Sequence, residues 1–290
     1  MKVKFKRKGY KNSEYFYLFF AAFLWSTSFP ITKWGLFYLN PLSFVFFRFL
    51  IALIFYLPFL NFKNFKKILN KDLILLGILS AGGYIFQFIG QKYTLAGRAS
   101  LFINMYIVWV PLILYFFKKQ KFEKFIIISI FLSILGLFLL FYKSLGKFEI
   151  EYIKGDLLTL LSSLSWSFYI IIAKRILNSI DPFELSGIVI LLTGVFLLPF
   201  SLIDFKIPEN FQGYYAIFHL SFFCTFLAYF LYHVGLSKTS EFKSSIFLLL
   251  EVLFAVIFSF IFLKERFTFI QIIGGILIIS GIFFGTKKNI

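Results

Sequence analysis

Two stretches decide the fold: Tyr84-Ile85-Phe86-Gln87-Phe88-Ile89-Gly90-Gln91-Lys92-Tyr93-Thr94 and Tyr229-Phe230-Leu231-Tyr232-His233-Val234-Gly235-Leu236-Ser237-Lys238-Thr239. The second follows the first at a displacement of 145 residues, and the match continues without a gap from Tyr84 to Phe138 against Tyr229 to Phe283. It pairs Gly90 with Gly235, Thr94 with Thr239, Ser100 with Ser245, Lys119 with Lys264, Phe122 with Phe267 and Gly136 with Gly281. Apolar matches come cheaply in a chain with 47 Phe, so the Gly, Thr, Ser and Lys pairs carry the argument. Upstream the displacement is 141 residues, and Trp25, Lys33, Pro41 and Pro58 fall on Trp166, Lys174, Pro182 and Pro199. The chain therefore reads as a basic segment, 1–14, followed by two copies of one unit, 15–143 and 152–287. A period this long is not that of a solenoid.

With 60% hydrophobic and 15% charged residues and a mean hydropathy of +0.88, the chain exceeds what the interior of a soluble domain can hold. Apolar runs of bilayer-spanning length lie near 16–36, 42–60, 73–92, 99–117, 123–142, 156–175, 184–204, 214–236, 244–263 and 268–286. The expected class is an all-α integral membrane protein of ten transmembrane helices. The basic start followed by Tyr15 to Leu24 resembles a cleaved signal peptide. Trp25 and Lys33 recur inside the chain, however, so the first helix is expected to belong to the mature fold. The single Cys224 sits in an apolar run, which suits packing and supplies no disulfide framework or thiolate metal site.

Lys and Arg set the orientation. With the N-terminus inside, the inner segments carry 20 of them and the outer ones 9. Both termini are then cytoplasmic in a cell (plasma or inner) membrane, and the net charge of +17 is a collar facing an anionic leaflet of the lipid bilayer. No basic folded domain outside the membrane is available for nucleic acid. Five helices per copy is an odd number, so the second copy enters from the opposite side. That makes two inverted five-helix repeats, the arrangement on which alternating access is built.

Further residues carry a family resemblance. Trp25-Ser26-Thr27-Ser28-Phe29 with Lys33 opens it, followed by Pro41 with Phe46-Phe47-Arg48-Phe49, then Gln91-Lys92-Tyr93-Thr94. Leu250-Glu251-Val252 and Lys264-Glu265-Arg266-Phe267-Thr268 lead into a Gly-rich last helix. In this order the motifs resemble the drug/metabolite transporter superfamily, in its ten-helix EamA-type branch, over nearly the whole chain. The family often has Glu-Pro where this chain has Glu251-Val252, and Val189 stands where a counterpart of Arg48 would fall. The resemblance implies a transporter of small organic solutes.

Polar side chains in hydrocarbon are costly unless they face protein or water, so their faces point to the pathway. Trp25, Ser28 and Thr32 share one helical face, as do Ser162, Trp166 and Tyr169, then Tyr84, Gln87 and Gln91, and finally Thr225, Tyr229 and Tyr232. Trp25, Tyr84, Trp166 and Tyr229 fall near mid-bilayer at ~1.5 Å per residue. These aromatics either line a substrate pocket or only pack between helices, and periodicity does not separate the two. Asn104 binds ligand or joins helices. Glu251 lies about 8 Å inside the cytoplasmic end of its helix, with His233 at similar depth. They are candidates for proton coupling, against a structural carboxylate bonded to Ser, Tyr or Lys243. Arg48 is expected to lock the fold through helix-end carbonyls or Asp156, and Lys33 and Lys174 to serve helix C-terminal ends. Small residues of the fifth and tenth helices, Ser129, Ser133, Gly136, Gly274, Gly275 and Gly281, suit a scaffold or a homodimer seam.

The expected function is a secondary transporter of a small amino acid-like or drug-like metabolite. Neither a cofactor nor a metal site is expected, and no Walker-type loop points to direct ATP use. A non-transporting receptor or assembly component is the alternative. An intramembrane enzyme is a weaker one, since neither HExxH nor GxSxG occurs and His219 and His233 are the two histidines. The charge bias predicts that a cysteine placed at Phe65 is labelled by an impermeant thiol reagent from the cytoplasmic side alone; labelling from outside the cell would reverse the topology.

Overall fold

A computed structural model describes residues 13–59, 70–146, 149–263 and 268–287. Phe65, most of the basic N-terminal segment and the Lys264-Glu265-Arg266-Phe267 motif lie outside the described residues. Among those described, the regular structure is helical, with no strand. In chain order it comprises α1 (Ser13–Gly35), α2 (Pro41–Phe59), α3 (Lys71–Tyr93), α4 (Gly97–Lys118), α5 (Lys124–Leu140), α6 (Ile150–Ile176), α7 (Pro182–Asp204), α8 (Phe211–Lys238), α9 (Glu241–Phe247 with Leu250–Leu263) and α10 (Phe269–Thr286). Eight of these are long and apolar enough to cross a membrane; α5 is a shorter apolar helix of 17 residues, and α9 is in two pieces. The chain is thus a multi-pass membrane protein.

Polar loop residues start the helices by giving the first free N–H groups an acceptor. Asn40 accepts from Ser43 N at 2.8 Å with Pro41 at the first helical position, and Asn70 accepts from Leu73 N at 3.0 Å. In the second half Asp181 accepts from Phe183 N at 2.9 Å ahead of Pro182, Asn210 from Gly213 N at 2.9 Å, and Thr268 forms a capping box with Gln271. The helix ends are therefore written in the short connections.

Packing pairs α3 with α6, α1 with α8, α2 with α7 and α5 with α10; α7 also lies on α3, α8 on α2, α4 against α6 and α9 against α1. Where α3 crosses α6, a Cβ on Gly90 would stand 2.7 Å from Thr159 Cγ2 and 2.9 Å from Gly155 O. Where α8 crosses α1, one on Gly235 would stand 2.7 Å from Leu18 Cγ and 3.2 Å from Glu14 O. Glu14 and Leu18 are the residues that the 141-residue displacement carries onto Gly155 and Thr159.

The small residues of α5 and α10 are used within the chain. A Cβ on Gly136 would meet Gly274 O at 2.7 Å, one on Gly274 would meet Gly136 O at 2.7 Å, and Ser129 Oγ donates to Gly281 O at 2.7 Å. The face read as a scaffold or a homodimer seam thus closes an intramolecular contact, while Phe131, Phe138, Ile276, Ile279 and Phe283 point outward. One apolar cluster fills the space among α1, α2, α3, α4, α6, α7 and α8 and reaches Leu248 at the break of α9; a second joins α4, α5, α9 and α10 through residues such as Leu101, Leu137, Ile246 and Ile278.

Because two of the three atoms nearest such a Cβ, Gly274 O and Ile278 N, belong to the backbone of α10, Gly136→Val must push α10 away, at a cost of about 1–3 kcal/mol or more. A Cβ on Gly82 meets nothing nearer than Phe86 Cε2 at 4.0 Å. Thermal unfolding in detergent is expected to show a clear loss of Tm for Gly136→Val and none for Gly82→Ala.

Candidate functional site

Side chains from both halves enclose a cavity of about 80 Å³, several times the roughly 10–15 Å³ that one water needs. α1 contributes Trp25, Ser28 and Phe29, α2 Arg48, α3 Tyr84 and Gln87, and α4 Ile103 and Tyr106. Trp166, Tyr169 and Ile170 come from α6, Tyr229 and Tyr232 from α8, Leu248 and Glu251 from α9. Among the described residues, α5, α7 and α10 contribute none to the lining. Eight of the nine substrate-binding candidates meet here. Asn104 does not: its Nδ2 donates to Ser100 O at 2.8 Å and its Oδ1 accepts from Tyr106 OH at 3.0 Å, so its polar atoms are engaged within α4.

At the centre the hydroxyls of Tyr84 and Tyr229, residues that the repeat makes equivalent, are hydrogen bonded at 3.2 Å. Trp25 stands edge-on to Tyr229 at 6.0 Å and 87°, and Trp166 edge-on to Tyr84 at 4.9 Å and 88°. One arrangement of Trp and Tyr is thus built twice around the hydroxyl pair, with T-shaped contacts that aromatic quadrupoles favour.

Arg48, 1% exposed, is held by a local irregularity of α8. Residues Phe222–Leu227 form a π-turn, in which Ala228 N–H bonds to Phe223 O in place of Cys224 O. The released Cys224 carbonyl accepts Trp25 Nε1–H at 2.8 Å and Arg48 Nη2–H at 3.0 Å. Arg48 Nε donates to Thr225 Oγ1 at 2.6 Å and Nη2 also to Tyr84 OH at 3.3 Å, with the guanidinium 4.7 Å from the Tyr84 ring centre. Arg48 thus meets a carbonyl in mid-helix where helix-end carbonyls or Asp156 were expected, and Asp156 is not its partner. Asp156 takes Arg98, whose Nε donates to its Oδ2 at 3.0 Å, and Thr94 Oγ1 at 2.7 Å, some distance along α6 toward its start. A cation in the cavity wall, between Tyr84 and a free carbonyl, was not legible as such from sequence because the π-turn has no residue signature.

α4 and α9 are interrupted at equivalent places. Asn104 and Met105 separate Ala96–Ile103 from Tyr106–Lys118, and Leu248 and Leu249 separate Glu241–Phe247 from Leu250–Leu263. Tight i→i−3 bonds bridge the breaks, such as Ile107 N to Asn104 O at 3.1 Å and Glu251 N to Leu248 O at 2.9 Å. In α4 the Asn104 side chain competes for backbone groups; α9 breaks at two leucines with no such competitor. The following half-helices begin at the cavity, where the positive end of the helix dipole favours negative charge, while the Ile107, Val108, Glu251 and Val252 N–H groups are bonded across the breaks. Tyr106 and Glu251, each in the first turn of its half-helix, are related by the 145-residue displacement. That signal could have placed Tyr106 in the wall in advance.

Glu251 opens onto the cavity and has no hydrogen bond or ion pair among the described residues. His233 is not its partner, because both ring nitrogens are taken: Tyr169 OH lies 2.7 Å from Nε2 and Ser186 Oγ 2.7 Å from Nδ1. Ser186 Oγ donates its one proton to Pro182 O at 2.7 Å, so it accepts from Nδ1–H. The bonded chain through His233 runs from the cavity wall to the start of α7. Lys33 Nζ donates to Gln91 O and Thr94 O at 2.8 and 3.1 Å, and Lys174 Nζ to Leu236 O and Ser237 O at 2.9 and 3.0 Å. Each lysine caps the last carbonyls of the helix packed beside it, α3 or α8, rather than its own.

No cluster of three or more His, Cys, Asp or Glu that could hold a metal occurs among the described residues. The arrangement offers aromatic faces, one bonded guanidinium, one unbonded carboxyl and two half-helix N-termini, which suits holding a small polar solute. The family model described as the EamA-like transporter family matches residues 12–142 and 153–286. An "uncharacterized transporter" of Archaeoglobus fulgidus is 30% identical over 92% of this chain and 94% of its own. A "probable amino-acid metabolite efflux pump" of Salmonella typhimurium is 24% identical over 90% of each chain. A solved crystal structure, 16% identical, superposes with a TM-score of 0.78 over 96% of this chain and 97% of its own, a likeness of fold.

Proposed function

The chain belongs to the EamA-like transporter family, and from that premise we propose that it is a secondary transporter of a small, amino acid-like organic solute. In this reading all ten helical stretches cross the membrane, both termini are cytoplasmic, and the halves are related by a two-fold axis in the membrane plane. The observation that carries it is the cavity at the junction of the halves, closed by two equivalent Trp–Tyr pairs with the Tyr84–Tyr229 hydroxyl bond between them. The packing supports the axis: exchanging α1 with α6, α2 with α7, α3 with α8, α4 with α9 and α5 with α10 turns each pairing named above into itself or into another of them. The same exchange carries the Gly90 crossing onto the Gly235 crossing and the Lys33 cap onto the Lys174 cap. Halves so related can trade conformations and expose one site to either side in turn.

The solute's carboxylate fits the Arg48 side of the cavity and the half-helix N-termini, and its amino group fits Glu251, with the aromatic walls covering the rest. The Salmonella relative's name agrees with that chemistry. Carrying a carboxylate in hydrocarbon costs roughly 2.5–3.5 kcal/mol on insertion scales, so an unbonded Glu251 is kept for a purpose. We assign it the exchange of a proton against solute as the cavity changes sides. A receptor or an enzyme needs no two-sided symmetry around its site, and flux separates these readings.

Reconstituted into liposomes and offered a panel of labelled metabolites, the protein is expected to exchange at least one. Trp25→Ala, Trp166→Ala and Tyr229→Ala should each lower that flux at least about tenfold, worth 1.4 kcal/mol, while folded protein stays near the wild-type amount; parallel loss of both would make these residues packing alone. Glu251→Gln keeps the shape and removes titration. It should still exchange labelled solute and lose accumulation driven by an imposed pH gradient, and equal accumulation by the Gln variant would remove Glu251 from coupling.

A further inference from the structure

Three walls of the cavity continue, one helical turn toward the same end of the bundle, into polar side chains with no partner. Ser28 is followed by Thr32 on α1, Gln87 by Gln91 on α3, and Ile103 is preceded by Ser100 on α4. Lys33 Nζ on the Gln91 and Thr94 carbonyls fixes the ends of α1 and α3 at one level, and α4 begins just beyond. Thr32, Gln91 and Ser100 are 0, 2 and 5% exposed. Thr32 Oγ1, both amide atoms of Gln91 and Ser100 Oγ nevertheless lack a hydrogen bond among the described residues. The remaining orphans do not gather in this way: Ser133 and Thr193 lie apart on α5 and α7, and the Tyr232 and Ser244 hydroxyls lie beside each other.

At the opposite end the repeat supplies different chemistry. Tyr169 is followed by Ala173 and Tyr232 by Leu236, the equivalents of Thr32 and Gln91, and Ser245 Oγ donates to Phe242 O at 2.8 Å. A buried amide left without partners is costly, whereas a methyl or isobutyl group in the same place is not. Four orphan atoms gather on one side of the cavity, whereas the equivalent positions on the other, Ala173, Leu236 and Ser245, are apolar or satisfied, and the two orphans on that side, the Tyr232 and Ser244 hydroxyls, lie within reach of each other.

We infer that Thr32, Gln91 and Ser100 form a hydrated second station on the solute's route, on the outer side of the cavity, binding uncharged hydrogen-bonding groups such as amides and hydroxyls. The inference rests on the transporter reading for its use and on the charge bias for "outer". Water or solute supplies the missing partners there, whereas Ala173 and Leu236 at the inner end offer water no hydrogen bond.

The test uses the native economy of thiols. With Cys224→Ser as background, single cysteines at Thr32, Gln91, Ser100, Ala173 and Leu236 are exposed in intact cells to a charged, membrane-impermeant methanethiosulfonate. Phe37→Cys and Gln120→Cys report the outer and inner surfaces. Cysteines at Thr32, Gln91 and Ser100 are expected to react at least about tenfold faster than those at Ala173 and Leu236, with Phe37→Cys labelled and Gln120→Cys protected. Equal rates, or protection of all three while Phe37→Cys reacts, would overturn the inference. Labelling as expected without flux of any solute would instead sink the transporter reading. On the unsubstituted chain in nanodiscs, backbone hydrogen exchange provides a second measure: segments 28–35 and 87–94 should exchange faster than 169–176 and 232–238, and the reverse order would count against the route.

Discussion

Hydrocarbon supplies no hydrogen bonds, so each backbone group at membrane depth must find its partner inside the protein or in a water-lined space. The irregular backbone of this chain obeys that constraint closely. The π-turn of α8 releases the Cys224 carbonyl, and two side-chain donors, from Trp25 and Arg48, take it up. The breaks in α4 and α9 fall where Ile103, Tyr106, Leu248 and Glu251 face the cavity. Among the described residues, the π-turn and these two breaks bring irregular backbone to the place where polar groups can be satisfied.

The same constraint explains the distribution of polar side chains. Hydroxyls on the helices mostly return to their own backbone, as Ser163, Ser167, Ser201 and Ser221 do, and so cost little in an apolar setting. The ones that do not are informative. Arg48 links α2 to α1, α3 and α8, while Arg98 with Asp156 ties the starts of α4 and α6 to the end of α3. Only the first has a place in the cavity wall, and Val189 stands at its equivalent in the second copy. The architecture is doubled and the chemistry of the site is not.

Close helix contact does the remaining work. Gly90 and Gly155 let α3 and α6 approach until backbone meets backbone, and Gly136 with Gly274 does the same for α5 and α10. In lipid, helices gain little from hiding apolar surface from one another, so close packing and interhelical hydrogen bonds such as Ser129 to Gly281 O hold them together. A scaffold pair away from the cavity then leaves α1 to α4, α6, α8 and α9 to line it.

Much of this could be read from residues alone. Apolar runs and polar caps determined where helices begin and end, since these are local matters of burial and backbone satisfaction. The repeat determined which residues are equivalent, and so brought Trp25, Tyr84, Trp166 and Tyr229 together in advance. Helical spacing gathered Ser28, Gln87, Tyr169 and Tyr232 onto the right faces. What depended on three dimensions was the choice of partner. Asp156 went to Arg98 and Arg48 to a carbonyl freed on α8; His233 went to Tyr169 and Ser186, leaving Glu251 unbonded; and Asn104 turned back into its own helix. Helix breaks at Leu248 and Leu249 likewise have no local cause. Periodicity specifies a face to within a turn, but a hydrogen bond is decided over tenths of an ångström by which side chains neighbouring helices bring to the same point, and that is a property of the assembled bundle.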